Sequence, residues 1–204
     1  MKQAQTDPAG VLAPVDTVLE AISSRHSVSP KRVVAPGPDR TQLMQIIGAA
    51  AAAPDHGRLQ PWRFIRFRQD RRDALAEVFE AALIERLPEA DTCARARARE
   101  KAARAPVLLG LVLRLRHGDG LPHVDDQIAS GGAALQNVLL AAHAMGYGAR
   151  ALSGKAVRTA AFRKALGLAA DERFLCFIPI GTPAAAPRQN PRPAPETLLT
   201  EWPG

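Results

Sequence analysis

Residues Ser130–Gly154 read SGGAALQNVLLAAHAMGYGARALSG, and this stretch sets the layout of the chain. It lies within and beyond the most hydrophobic helix candidate, which runs from Gln127 to Met145. Gln127, Ser130, Gln136, Asn137 and His143 make that segment a buried helix rather than a membrane span. The run Ser130, Gly131, Gly132, Ala133 and Ala134 carries little side-chain bulk, so a neighbour can pack closely against it. MGYG breaks the helix, a short strand is expected near Ala149–Leu152, and a further helix should end at Gly167.

Outward from this centre, PVLLGLVLRLR (Pro106–Arg116) predicts a buried strand and RFLCFIPIG (Arg173–Gly181) the last strand. WRFIRFR after Pro61 alternates and predicts another. Nearer the start, Val15, Val18, Leu19 and Ile22 form the i, i+3, i+4, i+7 stripe of a helix that begins at Pro14 and ends near Ser23–Arg25. Past the linker SPKRVVAPGP, Asp39 and Gln42 have capping-box spacing for a helix that buries Leu43, Ile46 and Ile47 and stops at Pro54. Asp70 is expected to cap a helix carrying Leu75, Val78, Phe79 and Leu83. Helices outnumber strands and alternate with them irregularly, which predicts an α+β fold with helices packed on a modest sheet. Residues 1–13 read as an extension, 14–204 as a single domain, and 184–204 as a proline-rich tail on the surface or over a partner subunit.

With 204 residues, 47% of them hydrophobic and 23% charged, the chain has the make-up of a soluble globular protein. Cys93 and Cys176 lie far apart and form no metal or redox pair, so a reduced, cytoplasmic setting is expected. The net charge of +7 raises the question of nucleic acid. The densest basic cluster, ARARAREKAARAP (Ala94–Pro106), lacks interleaved aromatics and reads as a solvated helix face, with Arg95 and Arg99 on one flank. Neither a nucleic-acid nor a membrane partner is expected.

Four stretches remain that could carry chemistry. SRHS (Ser24–Ser27) offers the planar fork of Arg25 and the hydroxyl of Ser27 to a phosphate. APDHGRLQPWRF (Ala53–Phe64) sets His56 and Gln60 four apart in a proline-bounded loop, where both can hydrogen-bond a heterocycle or a polyol. Asp55–His56 has no convincing third metal ligand, and His117 and His123 sit in a separate loop. ALSGK lacks the first glycine of a nucleophile elbow, and GYGARALSG fits neither the dinucleotide nor the P-loop fingerprint. Ligand-shaped loops without a catalytic constellation point to a cofactor as the reactive group.

In that order, AISSRHSVSPKRV, APDHGRLQPWRF, SGGAALQNVLLAAHAMGYGARALSG and FIPIGTP resemble the nitroreductase superfamily of FMN-dependent oxidoreductases, in its compact single-domain bacterial subgroup. The likeness covers roughly residues 15–183. It implies a nitroreductase-like fold with a central, mostly antiparallel sheet flanked by helices. It also implies a homodimer with FMN at the subunit interface, and NAD(P)H as co-substrate. Arg25 then matches the flavin-phosphate ligand, with His26 and Ser27 on the phosphate and ribityl chain. His56 and Gln60 match loop residues that touch the cofactor, and Leu152, Ser153 and Gly154 the segment whose backbone approaches the ring. Arg188, after Gly-Thr-Pro, matches a basic residue that reaches the phosphate. Trp62 is expected in the core.

Two departures stand out. Many relatives have a lysine where this chain has Ser29, which leaves that cation's role vacant or to Lys31 or Arg32. The subgroup's usual Trp-Arg is replaced by Ala151-Leu152. The implied activity is hydride transfer from NAD(P)H through FMN to a nitroaromatic, a quinone or a similar small acceptor, with no protein nucleophile or general acid. A flavin storage or sensing protein with little turnover is the alternative.

Overall fold

The computed structural model describes residues 15–186 and 191–204. Five strands make one sheet: β1 (Val33–Val34), β2 (Trp62–Phe67), β3 (Val107–Arg114), β4 (Gly148–Ala149) and β5 (Glu172–Pro183), in the order β1-β5-β3-β2, with β4 also paired to β5. All these pairings are antiparallel, and a parallel bridge adds Ser27 beside Ala149. The helices are α1 (Val15–Ser24), α2 (Arg40–Gly48), α3 (Arg72–Arg86), α4 (Thr92–Arg99), α5 (Val124–Ala144) and α6 (Ala160–Ala165).

The strand at 107–114 is buried on both faces, as its unbroken apolar run predicts. Leu109, Leu111 and Leu113 meet α5 and α2 on one side together with Cys176, Ile178 and Ile180 of β5. Leu108 and Val112 face α3 and α6 on the other. There Phe177 lies at the centre of an aromatic cluster, with ring centroids 4.7 Å from Phe174, 5.3 Å from Phe67 and Phe79, and 5.8 Å from Phe162. The small-residue run of α5 serves the close approach its composition suggests. A Cβ on Gly131 would lie 2.5 Å from Leu113 Cδ2, so a larger residue here would force the Leu113 side chain to shift and glycine lets α5 sit close on β3.

Most local expectations are met. The capping box is present: Asp39 Oδ1 accepts from the Gln42 backbone N–H at 2.8 Å, and Gln42 Oε1 accepts from Asp39 N–H at 3.0 Å. Trp62 opens β2 half-buried against the main core. Gly167 ends the α6 segment with φ +59°, a conformation that favours glycine. The strand expected at Ala149–Leu152 is shorter, Gly148–Ala149, and Leu152 instead makes an isolated bridge to Phe177.

Two expectations are corrected, and one face is left bare. The segment read as a linker, residues 29–38, includes β1, paired to β5. Asp70 does not cap α3: it lies in a 3-10 turn, and its carboxylate is taken by Arg68, which donates at 2.7 and 2.9 Å. A bidentate, charge-assisted pair two residues away outcompetes a cap. The apolar stripe of α1 is not covered by the described residues, with Val18, Leu19 and Ile22 46%, 57% and 46% exposed. Among the described residues, no helix is long and apolar enough to cross a membrane.

Candidate functional site

The turn after α1 gathers cations. Ser27 is bridged to Ala149, and Val28 N–H donates to the Ala149 carbonyl at 3.1 Å, so β4 fixes this segment. Ser24 Oγ lies 2.9 Å from His143 Nε2 near the C-terminal end of α5. His26 donates from Nδ1 to the Ser24 carbonyl at 2.6 Å. From the tail, Arg192 donates to the Arg25 carbonyl at 2.7 Å. Among the described residues, Arg25 Nε is buried with no hydrogen-bond partner, and Arg150 Nε, just past β4, is buried and unpartnered as well. Burial and the nearby Arg192 charge pull the Arg25 pKa down. Burial, then Arg25 and His26, do the same to His143. These are the marks of positive charge without a counter-ion.

Beyond β4, Leu152 and Phe177 exchange backbone hydrogen bonds of 2.8 Å, which pins Leu152 to the sheet. Ser153 and Gly154 follow, exposed, and a Cβ on Gly154 would meet nothing within 4 Å. Leu152, Ser153 and Gly154 line a cavity of about 230 Å³ that Pro30, Lys101, Arg104 and Lys155 also line, over an apolar floor that includes Leu108, Phe177 and Pro179. Burial first, and then Arg104 and Arg86, lower the Lys101 pKa. Cys176 offers no competing chemistry, because burial pushes its thiol up to about 12.

His56 and Gln60 lie elsewhere. His56 Nδ1 is 3.1 Å from Asp126 Oδ2 at the N-terminal end of α5. Gly57, Arg58 and Gln60 have φ of 74°, 52° and 44°. Two non-glycine residues are thus held in the left-handed region, a strain associated with functional loops. Asp55 steadies the loop by accepting the Gln60 N–H at 2.6 Å through Oδ2, while its Oδ1 is buried and unpartnered. Asp55, Arg58, Gln60 and Trp62 line a separate cavity of about 260 Å³. Asp126 and His143 stand roughly 25 Å apart along α5 at about 1.5 Å of rise per residue. One chain therefore brings Arg25, His26 and Ser27 together, adjoins them through β4 to Leu152, Ser153 and Gly154, and leaves His56 and Gln60 at the opposite end of the helix. Arg188 lies outside the described residues.

Several neighbours escape a reading of sequence spacing. Arg192, His143 and Asp126 reach these loops from distant segments, and no local signal marks them. Lys101 and Arg104 belong to the basic cluster read as a solvated face; the fold turns them toward the cavity instead. Arg32 donates to the Ala186 carbonyl at 3.3 Å, and neither it nor Lys31 lines that cavity. Among the described residues, no three metal-ligating side chains converge.

The chain can be set beside known proteins on this basis. The pattern of the Nitroreductase family matches residues 22–182, and so spans both clusters. A Haemophilus influenzae protein named "Putative NAD(P)H nitroreductase" is 34% identical over 155 residues, covering 76% of this chain and 83% of that protein. A crystal structure from Desulfovibrio desulfuricans, titled as a "putative nitroreductase in complex with fmn", superposes with a TM-score of 0.68 at 29% identity, covering 92% of this chain and 97% of that one. A nitroreductase-like family protein from Bacillus cereus superposes with a TM-score of 0.77 at 19% identity over 95% of this chain and all of that one, a likeness of fold. Fold, motif order and sequence agree over most of the length, and the chain belongs to the nitroreductase family.

Proposed function

We propose that this protein binds FMN and works as an NAD(P)H-dependent oxidoreductase acting on a nitroaromatic, a quinone or a similar small oxidised molecule. The observation that carries the reading is the unpartnered, buried Nε of Arg25 in a turn that holds cations and no paired carboxylate, joined through β4 to the open backbone at Ser153–Gly154. A guanidinium Nε buried without an acceptor is costly, and a phosphate oxygen relieves that cost. The donor set thus fits a phosphate at one end and a planar ring beside residues 152–154 at the other. The chemistry FMN supplies when bound is two-electron redox between NAD(P)H and the acceptor.

The chain's own residues bind and orient. Arg25, His26 and Ser27 hold the phosphate end, with Arg192 fixing the Arg25 backbone. Leu152, bonded to β5, presents the Ser153 and Gly154 backbone along the ring edge. Lys101 and Arg104 supply the positive charge that Ser29 does not, on the side where negative charge develops on reduction. The floor of Leu108, Phe177 and Pro179 keeps water from beneath the ring.

The reading includes a homodimer. His56 and Gln60 are too far from Arg25 to meet the same small molecule in one chain, but a two-fold axis beside α5 sets the His56 end of one protomer against the Arg25 end of its partner. The bare apolar face of α1, with Val18, Leu19 and Ile22, is suited to that contact. The test is the visible spectrum of the purified protein followed by anaerobic NADPH. Flavin bands that bleach support the oxidoreductase reading; flavin that NAD(P)H never bleaches leaves binding without turnover; a colourless protein that takes up no added FMN refutes both.

A further inference from the structure

A second hollow, of about 490 Å³, adjoins the first cavity, and Ser153 and Val157 line both. Arg158 reaches it from the turn Lys155–Arg158, Arg163 from α6 and Arg173 from β5. No carboxylate lines it; the remaining wall includes Leu168, Phe174 and Leu175.

The local acids are already engaged. Asp171 pairs with Arg114 at 3.5 Å, and Glu172 is held by Arg63 at 2.6 Å. Arg163 is fixed in place, donating to the Glu172 carbonyl at 2.7 Å and the Ala169 carbonyl at 2.6 Å. Arg158 and Arg173 are exposed and make no ion pair among the described residues. Arginines from three separate elements thus line one hollow beside an apolar wall, with no carboxylate lining it among the described residues. A planar fork of this kind matches phosphate oxygens two at a time, and the wall suits the face of a purine.

We propose that this hollow receives the phosphorylated adenosine end of the nicotinamide donor, with Arg158 and Arg173 reading the 2′-phosphate that distinguishes NADPH from NADH. The inference rests on the oxidoreductase reading above. Because the hollow abuts the cavity at Ser153, a ligand seated here has its other end directed toward residues 152–154.

Two measurements test it on the FMN-loaded protein and on the double variant Arg158→Gln/Arg173→Gln, which spares Arg163 because that residue ties α6 to β5. The first is kcat/KM for NADPH and NADH. The parent is expected to favour NADPH by about tenfold or more, and the variant to lose about that factor from the ratio, the scale of one or two charged hydrogen bonds. The second is calorimetric titration with adenosine 2′,5′-bisphosphate against AMP, where the bisphosphate should bind more tightly only while the arginines are present. Equal binding of the two nucleotides, or a bisphosphate affinity untouched by the double variant, would overturn the proposal. If bound FMN is reduced by neither nucleotide, the oxidoreductase reading falls, and the bisphosphate titration still decides the hollow.

Discussion

Arg63 and Arg25 both sit at the margin of the sheet, and they are treated in opposite ways. Arg63 donates to Glu172 through Nε at 2.6 Å and Nη2 at 2.9 Å, and that carboxylate, with a side chain only 2% exposed, also accepts the Ala169 N–H. The Arg63 hydrogen bonds hold the Glu172 carboxyl down to about 2. Arg25 has no carboxylate partner and a buried Nε without an acceptor. The first arginine is neutralised by the fold and belongs to it. The second has an Nε that no described residue completes, which is why it is proposed to hold a bound phosphate. In a protein of net charge +7, whether an arginine has a partner says more about its role than its position in the sequence does.

The contrast breaks most visibly at Glu172. Glu172→Gln removes the buried charge that Arg63 answers and should cost about 3 kcal/mol, or roughly 6–12 °C in thermal midpoint. The folded carboxyl titrates below its ordinary value of 4.5, so its contribution is fully present above that pH and is lost as pH falls toward 2. A stability-pH curve should show this acid limb in the parent and lack it in the variant.

Arg25→Ala should behave the other way. FMN affinity, followed by quenching of flavin fluorescence, is expected to drop about 10- to 100-fold, while the thermal midpoint of the flavin-free protein does not fall, because a buried, unpartnered Nε has been removed. A loss of stability like that of Glu172→Gln would mean that Arg25 belongs to the fold after all. The smallest effect is expected at the exposed pair of Arg68 and Asp70, with side chains 72% and 55% exposed. Asp70→Ala should move the midpoint by no more than about 1 °C, since surface pairs are solvated and screened.

Much of the fold is legible from local rules. The capping box at Asp39, the alternation after Pro61, the apolar run at 107–114 and the glycine stop at Gly167 each act within a few residues, so spacing alone exposes them. Asp70 misleads because a cap and a nearby arginine compete for one carboxylate, and spacing does not rank them. The α1 stripe marks a different limit. Amphipathic periodicity identifies a face that needs covering without saying whether the same chain covers it. The candidate site divides along the same line: SRHS, APDHGRLQPWRF and ALSG can be picked out as motifs, whereas Lys101, Arg104, His143 and Arg192 gain a role only from where the chain returns.

The sequence by itself determined most of the elements, their order and the resemblance to the family, because caps, periodicities and short loop motifs are properties of neighbouring residues. Only the tertiary structure decided which charges are answered. It paired Arg63 with Glu172 across the sheet, left Arg25 Nε without a partner among the described residues, and placed His56 and Gln60 at the far end of α5 from it. Electrostatic compensation and reach depend on distances between segments remote in sequence, and those distances exist only once the sheet and α5 have packed.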